Sequence, residues 1–121
     1  MKILLIDDEP EYLDKMVKSL ELCGFQCSTV ADSLKAGDLL ERDSFDVVIT
    51  DISMPGKSGF ELIRTMRSNG SDSLVIAISG TPDCCIESNA VSNGADVYLP
   101  KPLDLETLIE IIDRGKPGPG K

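Results

Sequence analysis

The sequence predicts an α/β fold: a doubly wound, five-stranded parallel sheet with helices on both faces. Short apolar runs recur along the chain, and segments with apolar residues at helical spacing lie between them. Runs such as ILLI at 3–6 and VVIT at 47–50 are typical of strands buried on both faces. Strands that alternate with helices form parallel sheets with right-handed crossovers. At 121 residues the chain is the size of one domain.

Five strands are predicted, each followed by polar or turn residues. They cover residues 2–6, 26–30, 46–50, 74–79 and 97–99. Their order in the sheet cannot be read from periodicity. The flavodoxin-like order 2-1-3-4-5 is the common solution for a (βα)5 chain of this length, and we expect it here.

Five helices are predicted, each beginning at a capping or proline signal. The signals are Pro10, Asp32-Ser33, the capping-box pattern at 58–61, Thr81-Pro82-Asp83, and Asp104. Gly24, Asn69-Gly70 and Asn93-Gly94 end the first, third and fourth helices. The residues expected to face the core are Leu13, Met16, Val17, Leu20, Ala36, Leu39, Leu40, Leu62, Ile63, Met66, Ile86, Ala90, Val91, Leu105, Leu108, Ile109 and Ile112.

Charge and composition exclude several classes of function. The net charge of -9 argues against direct contact with nucleic acid or an anionic membrane, because both require a basic face. No apolar run reaches the length of a membrane span, and the run at 3–6 meets Asp7-Asp8 too soon for a signal peptide. A cytoplasmic location is therefore expected. The absence of histidine removes histidine acid/base catalysis and a phosphohistidine carrier role.

The chain divides into a predicted domain at 1–114 and a short tail. Residues 115–121 read GKPGPGK, which cannot continue a helix. We expect this tail to be flexible, as a linker stub or a cloning scar.

Polar residues follow four of the five predicted strands. Asp7 and Asp8 follow the first, Asp51 the third, Ser79 ends the fourth, and Lys101 comes after the fifth. The carboxyl ends of parallel strands meet at one edge, so three carboxylates converge there and repel one another unless a cation lies among them. Oxygen ligands favour Mg²⁺, with Mn²⁺ as an alternative. A metal, an ammonium and a hydroxyl are also the groups that would neutralise a phosphoryl group on Asp51.

These residues resemble the receiver domain of two-component response regulators. The resemblance covers 1–114 and includes the Lys101-Pro102 pair, Met54-Pro55-Gly56 and Gly59. It implies that Asp51 accepts a phosphoryl group from the phosphohistidine of a sensor histidine kinase or phosphotransfer protein. Hydrolysis would then be self-catalysed, so the chain would be a phosphoacceptor regulatory domain and not a turnover enzyme.

The resemblance also assigns metal ligands. Asp8, Asp51 and the backbone carbonyl of Ser53 would ligate Mg²⁺, while Asp7 would act through water. Ser53 and Thr81 stand where the family tunes hydrolysis of the acyl phosphate, and both are small and neutral.

The remaining roles implied by the resemblance concern the switch. Lys101 would pair with the phosphoryl group, in a conformation fixed by a cis peptide before Pro102. Ser79 would swing to bond the phosphoryl group and Tyr98 would turn inward behind it. The surface of the fourth helix, fifth strand and fifth helix would then change for a downstream output protein or domain.

Each of these residues also has an ordinary interpretation when it is taken alone. An acidic pair after a strand is more often a solvated helix start, and Lys101 is an ordinary surface charge. Their coincidence at strand ends favours the functional interpretation. The alternatives are a pseudo-receiver that only binds partners, a phosphatase, and a flavin carrier. A phosphatase would usually have an acid at Ser53, and a flavin phosphate would be repelled by Asp7-Asp8-Glu9.

Overall fold

A computed structural model describes residues 2–52, 59–80, 86–101 and 103–114. Five strands alternate with five helices in the described chain. In order they are β1 (Lys2–Ile6), α1 (Pro10–Leu22), β2 (Gln26–Val30), α2 (Ser33–Arg42), β3 (Val47–Asp51), α3 (Gly59–Ser68), β4 (Leu74–Ser79), α4 (Ile86–Ser92), β5 (Val97–Pro100) and α5 (Leu105–Arg114). All strand pairs are parallel and the order is β2-β1-β3-β4-β5. The predicted fold class is confirmed.

The register brings the carboxyl ends of the central strands to one edge. Ile6 of β1 pairs with Thr50 of β3, and Asp51 pairs with Ile78 of β4. Ser79 pairs with Pro100, the last residue of β5. The order reverses between β1 and β3, and at such a switch point the helices diverge and leave a crevice.

The core lies in two layers, one on each face of the sheet. Ala36, Leu62, Ile63, Met66 and Ala90 from α2, α3 and α4 cover one face. Leu13, Met16, Leu20, Leu108 and Ile112 from α1 and α5 cover the other. Successive strand residues alternate between the layers, which is why β1, β3 and β4 are apolar over Ile3–Ile6, Val47–Ile49 and Leu74–Ile78.

Two of the predicted strands have bounds that differ by one residue from the structure. The third strand covers Val47–Asp51 and not 46–50, and the fifth extends to Pro100. Asp46 caps the start of β3 instead, since its side chain accepts a hydrogen bond from the Lys2 N–H at 2.8 Å. Asp51 is therefore held within the hydrogen-bonded ladder, whereas the sequence predicted it just after the strand.

One residue predicted to face the core does not. Val91 is 52% exposed, whereas its neighbour Ala90 is fully buried. Adjacent residues of a helix point about 100° apart, and in α4 the direction of Ala90 is the one that faces the sheet. The prediction for Val91 is wrong. Val17, Leu39, Leu40, Leu105 and Ile109 are half-buried against the two layers.

The predicted helix ends agree with the structure where it describes them. Asp32 caps α2 by accepting a hydrogen bond from the Leu34 N–H at 2.7 Å. Gly24, Gly70 and Gly94 follow α1, α3 and α4 with φ of 92°, 85° and 116°, which favours glycine. Ser58 of the predicted capping box, the start predicted at 81–83, the side chain of Ile86 and the tail at 115–121 lie outside the described residues. None of the described helices has the length and apolar character that crossing a bilayer requires.

Candidate functional site

Asp51 ends β3, a strand in which every residue is buried. It is only 4% exposed, and β1 and β4 lie on either side of β3. The backbone around it is fixed, since the Ile52 N–H donates to the Ile78 carbonyl at 3.0 Å and the Thr50 hydroxyl donates to the Asp51 carbonyl at 3.0 Å. The apolar strand therefore presents a carboxylate at a rigid position on the carboxyl edge.

Lys101 brings the carboxylates of this edge together. Its Nζ lies 2.9 Å from Asp51 Oδ2, 2.8 Å from Asp7 Oδ2 and 3.0 Å from Glu9 Oε1. The Lys101 N–H donates to the Ser79 carbonyl at 2.9 Å, which fixes the lysine just beyond β5. One ammonium facing three carboxylates leaves the crevice with excess negative charge.

Asp7 is the most deeply buried of these carboxylates, at 1% exposure. Its Oδ1 accepts a hydrogen bond from the Glu9 N–H at 3.0 Å. Its Oδ2 has Lys101 at ion-pair distance, but no described residue directs a well-aligned hydrogen bond at this oxygen. Burial raises the pKa of Asp7, and the nearby Asp51 raises it further, while Lys101 and the Glu9 N–H only partly offset this. The ionised form of Asp7 is thus under-stabilised.

Lys101 remains an ammonium group in this setting. Burial alone would lower the pKa of Lys101, but the ion pair with Asp7 and the hydrogen bonds to Asp51 and Glu9 outweigh burial and raise that pKa above its ordinary value. The Tyr12 ring lies beneath it, with Nζ 4.8 Å from the ring centroid. The Tyr12 hydroxyl accepts a hydrogen bond from the Leu103 N–H at 3.3 Å, so one side chain contacts the lysine and the loop after it.

The acidic residues fit a hard divalent cation. Carboxylate oxygens of Asp7, Asp8, Glu9 and Asp51 lie within 4.8 Å of one another. Asp8 and Glu9 are exposed and Asp7 and Asp51 are buried, so the set is open to solvent on one side. Oxygen donors, excess negative charge and the poorly satisfied Asp7 Oδ2 together match Mg²⁺ or Mn²⁺.

The structure brings together most of the residues that the sequence pointed to. Asp7, Asp8, Asp51 and Lys101 form one cluster, and Ser79 is 1% exposed at the adjacent end of β4. Tyr98 is half-buried against the layer formed by α2, α3 and α4. Ser53, Thr81 and Pro102 lie outside the described residues, so their predicted roles stay predictions.

Sequence reasoning missed Glu9 and Tyr12 as site residues. Glu9 carried a signal, because it continues the acidic pair Asp7-Asp8 at the start of α1. Tyr12 carried none, since its position one helical turn after Glu9 reveals neither the lysine above it nor the loop beside it.

Comparisons with known proteins agree with this geometry. The family model for the response regulator receiver domain matches residues 3–113. The response regulator MprA of Mycobacterium avium (strain 104) is 31% identical over 121 residues, or 97% of this chain and 53% of that protein. The chain thus spans about half the length of the MprA proteins it matches.

Solved structures of response regulators also resemble this chain. The chemotaxis response regulator CheY4 of Vibrio cholerae has a TM-score of 0.84 at 27% identity, with 93% of this chain and 96% of that chain covered. A response regulator from Burkholderia pseudomallei with a phosphorylated aspartic acid, calcium ion and citrate has a TM-score of 0.83 at 25% identity. That match covers 89% of this chain and 64% of the other.

Proposed function

Because the chain belongs to the response regulator receiver domain family, we propose that it is a signalling module switched by phosphorylation of Asp51. The observation that carries this proposal is the buried Asp51 carboxylate, 2.9 Å from Lys101 Nζ and among three further carboxylates. The phosphorylated aspartic acid of the Burkholderia relative supports it. A receiver domain is a regulatory domain, and the only chemistry proposed is its own phosphorylation and dephosphorylation.

The proposed phosphorylation is a transfer between a nitrogen and a carboxylate oxygen. An Asp51 oxygen attacks the phosphorus of a partner's phosphohistidine, the P–N bond breaks, and the released imidazole nitrogen takes up a proton. Lys101 neutralises charge on the transferred group, since its raised pKa keeps it protonated. The acyl phosphate carries about 1.5 to 2 negative charges where the carboxylate carried one, so the crevice needs this cation beside it.

Receiver domains generally bind Mg²⁺ at such an acidic pocket, and the donors present here fit it. We assign it to Asp8, Asp51 and the Ser53 carbonyl, with Asp7 acting through water and Mn²⁺ as an alternative ion. When bound, the ion neutralises phosphoryl oxygens that Lys101 does not reach. Glu9 adds a further carboxylate at the exposed side of the pocket.

The proposed return step is hydrolysis within the same site. Water attacks the phosphorus, the bond between phosphorus and the Asp51 oxygen breaks, and inorganic phosphate leaves. We assign tuning of this step to Ser53 and Thr81. While the phosphoryl group is present, Ser79 bonds it and Tyr98 turns inward, which changes the surface of α4, β5 and α5.

The proposed partners follow from this cycle. A sensor histidine kinase or a phosphotransfer protein supplies the phosphoryl group, and an output protein or domain binds the changed surface. We propose that the chain acts in the cytoplasm and, with a net charge of -9, does not itself contact nucleic acid or membrane. Residues 115–121 are proposed to be a flexible tail after the domain at 1–114.

Intact-protein mass after incubation with phosphoramidate tests the proposal. We expect one phosphoryl adduct that requires Mg²⁺ and is absent from Asp51→Asn. The chain has no tryptophan, so mass is a more direct readout than fluorescence. No adduct with any small donor or phosphorylated partner would favour a pseudo-receiver that only binds proteins.

A further inference from the structure

A cavity of about 450 Å³ opens between α2 and α3, away from the phosphorylation site. It is lined at one end by residues 43–45, just before β3, and by residues 69–73, just before β4. These segments lie at the amino edge of the sheet, whereas Asp51 lies at the carboxyl edge. We call this cavity the α2–α3 groove. Its volume is within the range of ligand pockets.

The groove has an apolar floor and an exposed apolar rim. Leu40, Phe45, Leu62 and Met66 line it, and the last three belong to the packed core. Leu34 stands at its edge with 68% of its surface exposed, one of the three large apolar side chains most exposed in the described chain. An apolar floor that continues into the exposed Leu34 is a surface on which an apolar side chain of a partner can pack.

The charged residues that line the groove are all acidic. They are Asp38, Glu41, Asp43 and Asp72. The described chain offers no ion-pair partner to Asp38, Glu41 or Asp43. Within the described residues, these three carboxylates therefore have no basic side chain paired with them.

None of the basic residues of the two flanking helices is among the residues that line the groove. Lys35 and Arg42 of α2 line a separate depression beside β2. Arg64 of α3 donates to the Asn93 side chain at 2.8 Å. Arg67 of α3 donates to the Gly94 carbonyl and to Asp96, and also to the carbonyls of residues 71 and 73. The charge of the two helices is thus sorted, because only the acidic Asp38 and Glu41 line the groove, although Asp38 also lines the depression that holds Lys35 and Arg42.

From this sorting we propose that the α2–α3 groove docks a cationic amphipathic segment of a partner protein. Its apolar side chains would pack on Phe45, Met66 and Leu34, and its lysine or arginine residues would face Asp38 and Asp43. A second copy of this acidic chain is a poor occupant, because it would bring like charge to the rim. The rim charges are exposed, so this binding is expected to weaken with added salt.

Gly37 offers a way to block the groove without disturbing the fold. It lies within α2 and lines the groove, and a Cβ built there meets no atom within 4 Å. Gly37→Leu would place a side chain in the groove. Gly37→Ala is the matched control, because it makes the same gain in helix propensity but leaves the groove open.

The test is a titration of the whole chain with a short synthetic leucine–lysine helix, followed by amide NMR. A leucine–glutamate helix of the same length and pattern is the control peptide. We expect the cationic peptide to shift signals of α2, α3 and residues 71–73, and the acidic peptide to leave them unchanged. Gly37→Leu should weaken binding at least about tenfold while Gly37→Ala binds as the native chain does. Asp38→Asn combined with Asp43→Asn should weaken binding and reduce its dependence on salt.

Four outcomes would overturn the proposal. The first is equal binding of both peptides, and the second is unchanged binding by Gly37→Leu. The third is shifts confined to Asp7, Asp8 and Asp51, which would mean that the peptide binds the acidic crevice. Self-association of the native chain that Gly37→Leu abolishes would identify a second copy as the occupant and also contradict it. All of these outcomes are independent of whether Asp51 is phosphorylated.

Discussion

One ammonium group among three carboxylates is the chemical centre of this protein. Lys101 contacts Asp7, Glu9 and Asp51 at 2.8–3.0 Å, and the two aspartates are buried. The pKa of Asp7 is raised mainly by burial, so the attraction of Lys101 does not fully compensate for the desolvation of the Asp7 carboxylate. The site therefore holds unfavourable charge that a divalent cation would relieve.

Asp7→Asn is expected to stabilise the protein when no divalent metal is present. The neutral side chain avoids the burial cost, its Oδ1 can still accept the Glu9 N–H, and Lys101 keeps Asp51 and Glu9. We expect the melting temperature at pH 7 in EDTA to rise by about 4 °C, or about 1 kcal/mol. A lower melting temperature for the variant would show that the Asp7–Lys101 contact outweighs burial.

The stability gained by Asp7→Asn is expected to depend on pH. Because the folded pKa of Asp7 is above its ordinary value of 3.8, the unfolded chain loses this proton first as pH rises. Asp7 therefore reduces stability as pH rises through that window, and the reduction persists above it. The gain from Asp7→Asn should be near zero below pH 3.8 and reach its full size above the folded pKa. A gain independent of pH would contradict this cause.

Tyr12 is expected to hold the Lys101 loop by two separable contacts. Tyr12→Phe keeps the ring beneath Lys101 but removes the oxygen that accepts the Leu103 N–H. We expect it to lower the free energy of unfolding by about 1 kcal/mol in urea denaturation. Tyr12→Leu also loses the cation–π contact and should cost more. Equal costs for the two variants would show that the ring contributes nothing through Lys101.

The ends of the predicted strands identify some of the site residues but not all of them. Asp7, Asp51 and Lys101 were identifiable because parallel strands deliver their last residues to one edge. Glu9 and Tyr12 join the site through the first turn of α1, and their partners are about 90 residues away in the chain. No local pattern encodes such contacts.

At the scale of elements, most helices and strands follow from local signals. The strands β1, β2 and β4 have the predicted bounds because apolar runs and turn residues define both of their ends. Ladder pairing decides the ends of β3 and β5, and it adds Asp51 and Pro100. Val91 was misjudged because adjacent helical residues point in different directions, and at this place Ala90 is the one that faces the core.

Gly59 and Gly37 make a matched pair for testing how α3 meets the site. A Cβ on Gly59 would lie 2.5 Å from Ile52 Cα and 2.6 Å from the Asp51 carbonyl oxygen. Backbone atoms cannot move aside cheaply, so Gly59→Ala should cost about 2–3 kcal/mol of unfolding free energy.

The control at Gly37 should behave in the opposite way. A Cβ there meets nothing, so Gly37→Ala should raise unfolding free energy by about 0.5–1 kcal/mol. Chemical denaturation of both variants checks the pair. Similar effects of the two substitutions would mean that α3 does not pack as closely on the end of β3 as described.

At the scale of the whole molecule, metal binding and folding are expected to be linked. The acidic pocket exists only in the folded chain, because Asp7–Glu9 and Asp51 come from different strands. Mg²⁺ at about ten times its dissociation constant should add about 1.4 kcal/mol of stability. NaCl at equal ionic strength is the control, and exposed Asp8→Asn should reduce the effect. An equal response to both salts would indicate screening of the net charge of -9 and no specific site.

The topology and the α2–α3 groove show the limit of sequence reasoning at this scale. The order 2-1-3-4-5 was expected as the common solution for this length, since periodicity identifies strands and not their neighbours. The groove was not predicted at all. It requires residues 38–45 to lie beside residues 62–73, and that depends on how α2 and α3 pack on the sheet.

Phosphorylation of Asp51 is tested most directly by reductive trapping, which locates the phosphoryl group in the sequence. Borohydride converts an aspartyl phosphate to homoserine, which peptide mass spectrometry assigns to one position. After treatment with phosphoramidate and Mg²⁺, we expect homoserine at position 51 and nowhere else. Homoserine at Asp7 or Asp8 with Asp51 intact, or none at all in a chain that stays folded, would contradict it.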